Sequence, residues 1–249
     1  MRLAKLKLRD FRNCRKIDAA FEPGFHVLLG GNAQGKTNLL EAVYLLATLR
    51  SFRGAGNAQI IRHGQKAFFA GGLALGQAES DIRHYWSPAQ RKLTVNEKPI
   101  RRVADYLGTL RTVVFCAEDA LLVNGPAKAR RRFLDLLLTQ TQPGYLGLLH
   151  RYTGALRSRN ALLRRNSPDL ALLNSFTREL VANGEKLIVA RRDLVKKLSP
   201  IIRLGYRKIA AKPEEADITY APSVREDLAV SLAKSRDREQ RYRTTLVGP

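Results

Sequence analysis

Gly30-Gly31-Asn32-Ala33-Gln34-Gly35-Lys36-Thr37 fits the spacing G-x-x-x-x-G-K-[ST], a loop that cradles nucleotide phosphates. Its glycines let backbone N–H groups converge on an anion at a helix start, where free amides and the helix dipole favour negative charge. Lys36 supplies a point charge for the β- and γ-phosphates, and the Thr37 hydroxyl is a ligand for Mg²⁺. The chemistry this points to is binding of a nucleoside triphosphate, ATP with Mg²⁺. The competing reading is a glycine-containing strand-to-helix turn that happens to hold a lysine. A second set of residues bears on hydrolysis, which needs an acid at the end of an apolar strand to hold the metal through water. One segment qualifies, Val113-Val114-Phe115-Cys116-Ala117-Glu118-Asp119, and no apolar strand with a terminal acid follows it. A third set is basic. Lys128, Arg130, Arg131, Arg132, Arg151, Arg157, Arg159, Arg164 and Arg165 are interrupted by one acid, Asp135. Such a stripe suits salt-sensitive, largely sequence-independent binding to a polyanion.

The elements around the glycine loop are those the motif requires. Phe25-His26-Val27-Leu28-Leu29 is a short apolar run, expected as a buried strand. Thr37 to Leu49 is expected as a helix with Leu39, Val43 and Leu46 on one stripe. Strands are also expected near Leu3–Leu8, Ile17–Phe21 and Arg111–Cys116, with a β-rich stretch over about 67–100. The single Trp86 there reads as packing. From Gly125-Pro126 the pattern becomes helical, over 127–140 and from Tyr145 to Leu163. After a break at Asn166-Ser167-Pro168-Asp169, Leu173, Leu180, Leu187, Leu194 and Ile201 recur every seven residues. That spacing predicts a long helix, either a projecting arm or a helix packed on its own domain, weakened at Asn183 and Gly184 and ended or kinked at Pro200. The tail from Lys212 is polar and punctuated by Pro213 and Pro222.

Composition adds two constraints. The 249 residues carry 44 Lys+Arg against 22 Asp+Glu, a net charge of +22, with a pI near 10.6. An imbalance of that size points to a polyanionic partner, the alternative being a basic proteome of a high-GC organism, and nucleic acid fits better than an acidic membrane because no basic helix with an aromatic face accompanies it. No run approaches the ~18 apolar residues of a membrane span. Two cysteines, Cys14 and Cys116, are too few for a disulfide framework or a metal site. The expectation is a cytoplasmic α/β protein with a nucleotide-binding lobe over 1–125 and a helical lobe over 126–249. Rivals are a P-loop kinase or GTPase, for which Asn96-Glu97-Lys98-Pro99 fails as a guanine reader, and a non-catalytic nucleotide-binding DNA scaffold.

The glycine loop continued as Asn38-Leu39-Leu40-Glu41-Ala42-Val43-Tyr44-Leu45-Leu46-Ala47-Thr48, and then Arg50-Ser51-Phe52-Arg53, resembles the RecF DNA replication and repair proteins. So do Glu118-Asp119, Gly125-Pro126, Arg130-Arg131-Arg132-Phe133-Leu134-Asp135, the stretch Arg157-Ser158-Arg159-Asn160-Ala161-Leu162-Leu163, and the final Thr245-Leu246-Val247-Gly248-Pro249. The resemblance covers essentially the whole chain. It implies an ABC-type P-loop ATPase lobe with an inserted β-rich portion and a helical second lobe. It assigns Glu118 and Asp119 to a loop that reports on the γ-phosphate, with Ala117 standing where the family often has proline. The competing assignment makes one of those acids the Mg²⁺ ligand. The family's signature and Walker B motifs would lie beyond Pro249, so binding of ATP without efficient hydrolysis is expected of this stretch. The resemblance further implies an ATP-dependent homodimer and association with RecO, RecR and the RecA pathway. It also implies single-stranded DNA binding at gaps and junctions, in recombinational repair, replication and the SOS response to DNA damage. Arg130, Arg131, Arg132, Arg157, Arg159, Arg164 and Arg165 are the candidate DNA contacts.

Overall fold

The computed structural model describes residues 1–167, 169–212, 214–224 and 227–249. The breaks expected at Pro168 and Pro213 lie outside the described residues. Two compact units divide the chain, Met1–Gly125 and Pro126–Pro249.

The first unit is built on one antiparallel sheet in the order β2-β1-β3-β4-β5-β6. Its strands are β1 (Arg2–Phe11), β2 (Cys14–Ala20), β3 (Phe68–Leu75), β4 (Glu79–Trp86), β5 (Arg91–Val95) and β6 (Lys98–Pro99). The β-rich stretch therefore shares its sheet with the N-terminal strands, through the pairing of β1 with β3. Alternation in β1 sets the sheet's faces: Leu6 and Leu8 are buried while Lys5 and Lys7 point away from the core. Helix α1 (Lys36–Thr48) buries Ala42, Leu45 and Leu46 against Leu6, Leu8, Phe11, Phe68 and Ile82, and Leu39 and Val43 lie half-buried beside them. Gly72 of β3 makes this approach possible. A Cβ there would stand 2.9 Å from Leu46 Cδ2 and 2.9 Å from the Lys5 carbonyl. Short helices α2 (Asn57–Ile60), α3 (Val103–Tyr106) and α4 (Leu121–Asn124) complete the unit. Tyr106 of α3 is fully buried and donates its hydroxyl to the Leu46 carbonyl at 2.7 Å. Trp86 stacks on Phe68 with ring centroids 6.2 Å apart, a packing role.

Two expected strands do not form. Residues 25–29 and 111–116 enter no ladder, and Phe25, Val27, Leu29, Val113 and Phe115 are all exposed. Their composition suits a strand, but a strand exists only when a neighbour takes up its N–H and C=O groups.

The second unit is helical: α5 (Ala127–Thr141), α6 (Tyr145–Leu163), α7 (Leu170–Ile209) and α8 (Leu228–Tyr242). Asp169 starts α7 by accepting the Leu172 N–H at 3.0 Å. The heptad leucines Leu173, Leu180 and Leu187 are buried, whereas Ile201 is exposed. Asn183 and Gly184 are contact points and not weaknesses. A Cβ at Gly184 would stand 2.4 Å from Leu228 of α8, and Asn183 accepts from Arg151 of α6. Pro200 neither ends nor replaces the helix, which runs on to Ile209. The polar tail holds a helix, α8, that its composition does not announce. Its buried stripe is Leu228, Leu232, Ser235 and Glu239, helical spacing with a carboxylate at the last position.

That carboxylate is the unit's electrostatic centre. Glu239 is fully buried and meets Arg159 Nη2 at 2.6 Å, and its other oxygen accepts the Leu246 N–H at 2.9 Å. Arg159 also donates to Thr177 of α7 and to Thr245, so one guanidinium links α6, α7, α8 and the final segment. Asp135 plays the matching part for α5, receiving Arg191 bidentately and the Tyr145 hydroxyl at 2.5 Å. Removing one partner of a buried pair strands the other charge. Glu239→Gln is expected to destabilise this unit by about 3 kcal/mol, seen as a lower midpoint in urea with an unchanged slope.

In the first unit, His84 on β4 is fully buried against Phe68, its ring centroids 5.2 Å apart, and neither ring nitrogen has a hydrogen-bond partner. Burial first, and the charge of Arg91 second, push its pKa down to about 4. An unfolded histidine takes up its proton near pH 6.5, so between pH 6.5 and about 4 the unfolded chain binds more protons and stability falls as pH falls. Acid unfolding curves should show a loss of about 3 kcal/mol over this interval that His84→Leu abolishes.

Candidate functional site

The glycine loop is shaped by backbone that ordinary residues avoid. Gly30 (φ 149°), Ala33 (φ 63°) and Gly35 (φ 94°) all lie at positive φ. Gly35 is the N-cap of α1, and no side chain caps that end. The first turn of α1 carries no acid either, so its amides and the positive end of its dipole are left for an anion. Lys36 folds back over the loop and donates to the carbonyls of Gly30 and Gly31 at 2.7 and 2.6 Å. An ammonium held there by two carbonyls can be exchanged onto phosphate oxygens. Asn32, Ala33, Gln34 and Thr37 are exposed, with the Thr37 hydroxyl at the start of the helix. The donor set suits a triphosphate whose magnesium takes one protein hydroxyl and phosphate oxygens. Among the described residues, no group of three or more His, Cys, Asp or Glu side chains could hold a metal by itself.

The loop is anchored from outside by residues that the motif does not contain. The turn between β1 and β2 carries Arg12, which grips the helix after the loop, and Asn13, which reaches the loop itself. Arg12 pairs with Glu41 of α1 through Nε (2.9 Å) and Nη2 (2.6 Å), and reaches the Gln59 carbonyl at 2.8 Å. Glu41 is fully buried and also accepts the Ser51 hydroxyl, while Ser51 Oγ accepts the Arg53 N–H. Asn13 Nδ2 donates to the Ala33 carbonyl at 2.9 Å. A Cβ on Gly35 would stand 2.9 Å from Asn13 Oδ1, so a side chain there would push Asn13 aside, while the positive φ itself calls for glycine. Cys14 adjoins the same glycine, and burial raises its thiol pKa. The sequence signal for these contacts is a charged residue, Glu41, at a core-facing position of an otherwise apolar helix.

Glu118 and Asp119 lie in a 3-10 turn, Ala117–Ala120. Asp119 turns back on its own segment and accepts the Cys116 N–H at 2.7 Å. Glu118 is exposed.

The arginines of the basic stripe separate into two groups. Arg130, Arg131 and Arg132 on α5 and Arg157, Arg164 and Arg165 on and after α6 are exposed. Arg157 and Arg164 are seven residues apart, about 20° on the helical wheel, and so share one face. Three consecutive arginines at 130–132 spread over about 200° and cannot. Arg159 is withdrawn from the surface set: it is 3% exposed and its guanidinium is consumed by Glu239, Thr177 and Thr245. Its place is readable from the sequence, since Ala155, Arg159, Leu162 and Leu163 fall on one stripe. No helix among the described residues is long and apolar enough to cross a membrane.

No family model matches the chain. Curated relatives do. It is 36% identical over 264 residues to the DNA replication and repair protein RecF of Symbiobacterium thermophilum, covering 100% of this chain and 70% of that protein. It is 37% identical over 263 residues to RecF of an Anaeromyxobacter species, with the same shares covered. Among solved structures, that of the recombination mediator protein RecF with ATPrS in the RecFOR pathway matches with a TM-score of 0.92 at 29% identity. It covers 100% of this chain and 71% of that one. The corresponding RecF–ATP structure matches with a TM-score of 0.91 at 29% identity. The glycine loop closed by its lysine thus belongs to a fold solved with ATP and its analogue, and the chain is a member of the RecF family of DNA replication and repair proteins.

Proposed function

We propose that this chain binds Mg²⁺-ATP at residues 30–37 and DNA through exposed arginines of its helical unit, in the recombinational repair role of RecF proteins. The observation that carries the reading is the Lys36 ammonium clamped across a positive-φ loop at an uncapped helix start. ATP-bound relatives of the same fold support it. In this reading Lys36 transfers from the loop carbonyls to the β- and γ-phosphates, the amides of the loop and of the first turn of α1 take the remaining oxygens, and Thr37 holds the metal. Glu118 and Asp119 serve a loop near the γ-phosphate. The solved relatives' pathway supports RecO and RecR as partners. An ATP-dependent homodimer, preference for gaps and single-strand junctions, loading of RecA, SOS induction and a cytoplasmic location complete the proposal. The charge of +22 supports the DNA part.

Lys36→Ala removes a charge-assisted phosphate interaction and should weaken Mg²⁺-ATP binding by about 1.5–3 kcal/mol in calorimetry. Equal affinity of the two proteins would reject the site. With DNA and Mg²⁺-ATP present, single-turnover assays are expected to show bound nucleotide persisting, because residues 111–116, which lead into Glu118 and Asp119, form no strand to set an acid against the metal. Rapid hydrolysis that disappears in Asp119→Asn would instead make Asp119 the metal ligand.

For DNA, replacing Arg157 and Arg164 together by alanine should weaken binding to all sequences alike. On a duplex, the slope of log K against log salt should flatten by about 0.9 for each phosphate that the variant leaves unneutralised. An unchanged slope removes this helix face from the DNA surface.

A further inference from the structure

Asn13 stands outside the glycine loop yet is tied to it more closely than a turn residue needs to be. Its Nδ2 donates to the Ala33 carbonyl at 2.9 Å, and its Oδ1 accepts Asn38 Nδ2 at 2.8 Å and the Cys14 thiol at 3.3 Å. Asn38 in turn accepts Arg53 Nη1 at 3.3 Å. The polarity of this chain of bonds has only one solution. A backbone carbonyl can only accept, so the Asn13 amide nitrogen must face Ala33. Its oxygen then faces Asn38, whose nitrogen must donate, which leaves the Asn38 oxygen for a guanidinium that can only donate.

Ala33 is the loop's strained residue, a non-glycine side chain at φ 63°, a region that costs about 1–2 kcal/mol for alanine. A trans peptide is planar, with its C=O and the following N–H on opposite sides. A carbonyl of Ala33 pinned outward by Asn13 therefore aims the Gln34 N–H the other way, toward the loop interior, where a phosphate needs a donor.

We propose that Asn13 is a positioning residue for nucleotide binding: it fixes the Ala33–Gln34 peptide plane so that the Gln34 amide faces the phosphates, and the Asn38–Arg53 chain holds Asn13 in that orientation. The inference rests on the nucleotide site proposed above. Strand β1 and the buried Arg12–Glu41 pair hold the turn that carries Asn13, so the support is rigid before any ligand arrives. Preorganised donors avoid the cost of ordering at the moment of binding.

The test is calorimetric titration of the full chain with Mg²⁺-ATP, with thermal unfolding of the ligand-free protein alongside. Asn13→Ala should weaken ATP binding about three- to tenfold, while the unfolding midpoint of the first unit stays within a degree or two of wild type. Asn38→Ala should weaken binding less, and in the Asn13→Ala background it should add nothing, since both act through one peptide plane. Asn13→Ser, which keeps a hydroxyl donor on a shorter arm, should recover part of the affinity. Lys36→Ala separates the two readings. If Lys36→Ala abolishes binding and Asn13→Ala leaves it unchanged, the nucleotide site stands and the role of Asn13 is refuted. Fully additive effects at Asn13 and Asn38 also refute it. If Lys36→Ala binds as wild type, the site itself is wrong.

Discussion

A carboxylate buried in the first unit sets the geometry on which the glycine loop depends. Glu41 projects from α1 into the core and is fully buried. A lone ionised carboxylate in that position costs several kcal/mol of forfeited hydration, so it must be met by charge and hydrogen bonds. Arg12 meets it with two parallel bonds from the turn after β1, and Ser51 meets it from the loop after α1. Neither partner can be satisfied unless helix, turn and loop sit in one arrangement. Apolar packing of Leu45 and Leu46 on the sheet leaves α1 some freedom to slide or rotate. The bidentate pair removes it. Because the glycine loop leads directly into α1, fixing the helix fixes where the loop's amides and Lys36 stand, and the same turn delivers Asn13 to Ala33.

The second unit applies the same device twice, and this explains which parts of the chain its sequence discloses. Helical spacing of leucines reveals α5, α6 and α7 because leucine on a stripe has one physical meaning. Arg159, Arg191 and Glu239 are buried, with Asp135 half-buried beside Arg191, but all four read as surface by residue type. Helix α8 is inconspicuous for that reason: half of its buried face is Ser235 and Glu239. The basic cluster between Lys128 and Arg165 also mixes two functions. Arg159 belongs to the core while Arg157 and Arg164, two and five positions away, face solvent.

In the first unit the glycine-loop motif can be read directly from the sequence, because it is a local pattern of eight consecutive positions. Its flanking strand cannot. Phe25, Val27 and Leu29 have the composition of a strand and yet form no ladder, as do Val113 and Phe115. Strand composition reports what a side chain tolerates, whereas a ladder is a property of two segments at once. β1 illustrates the opposite outcome, finding partners on both sides at β2 and β3. Asn13 is illegible for a related reason: nothing local distinguishes an asparagine in a turn that caps its own backbone from one that reaches a carbonyl twenty residues away.

If the proposed nucleotide and DNA sites both operate, a chain of +22 has to keep two polyanions apart. Both would be drawn by the same long-range field, which ionic strength weakens with a screening length of about 8 Å under physiological conditions. The two sites differ in what remains at close range. In the loop, the phosphate would meet backbone amides and one lysine at hydrogen-bond distance, where screening by salt is slight. Arg157 of α6 and Arg164 just past its end are exposed side chains whose attraction for DNA would pass through water and depend on released counterions. On the proposed reading, salt in the cellular range would therefore tune the arginine face strongly and the glycine loop weakly. Nucleotide would already be in place when DNA arrives. Arg53 stands between the two regimes: it is exposed like the arginines of α6, yet its guanidinium is engaged by Asn38 at the edge of the loop.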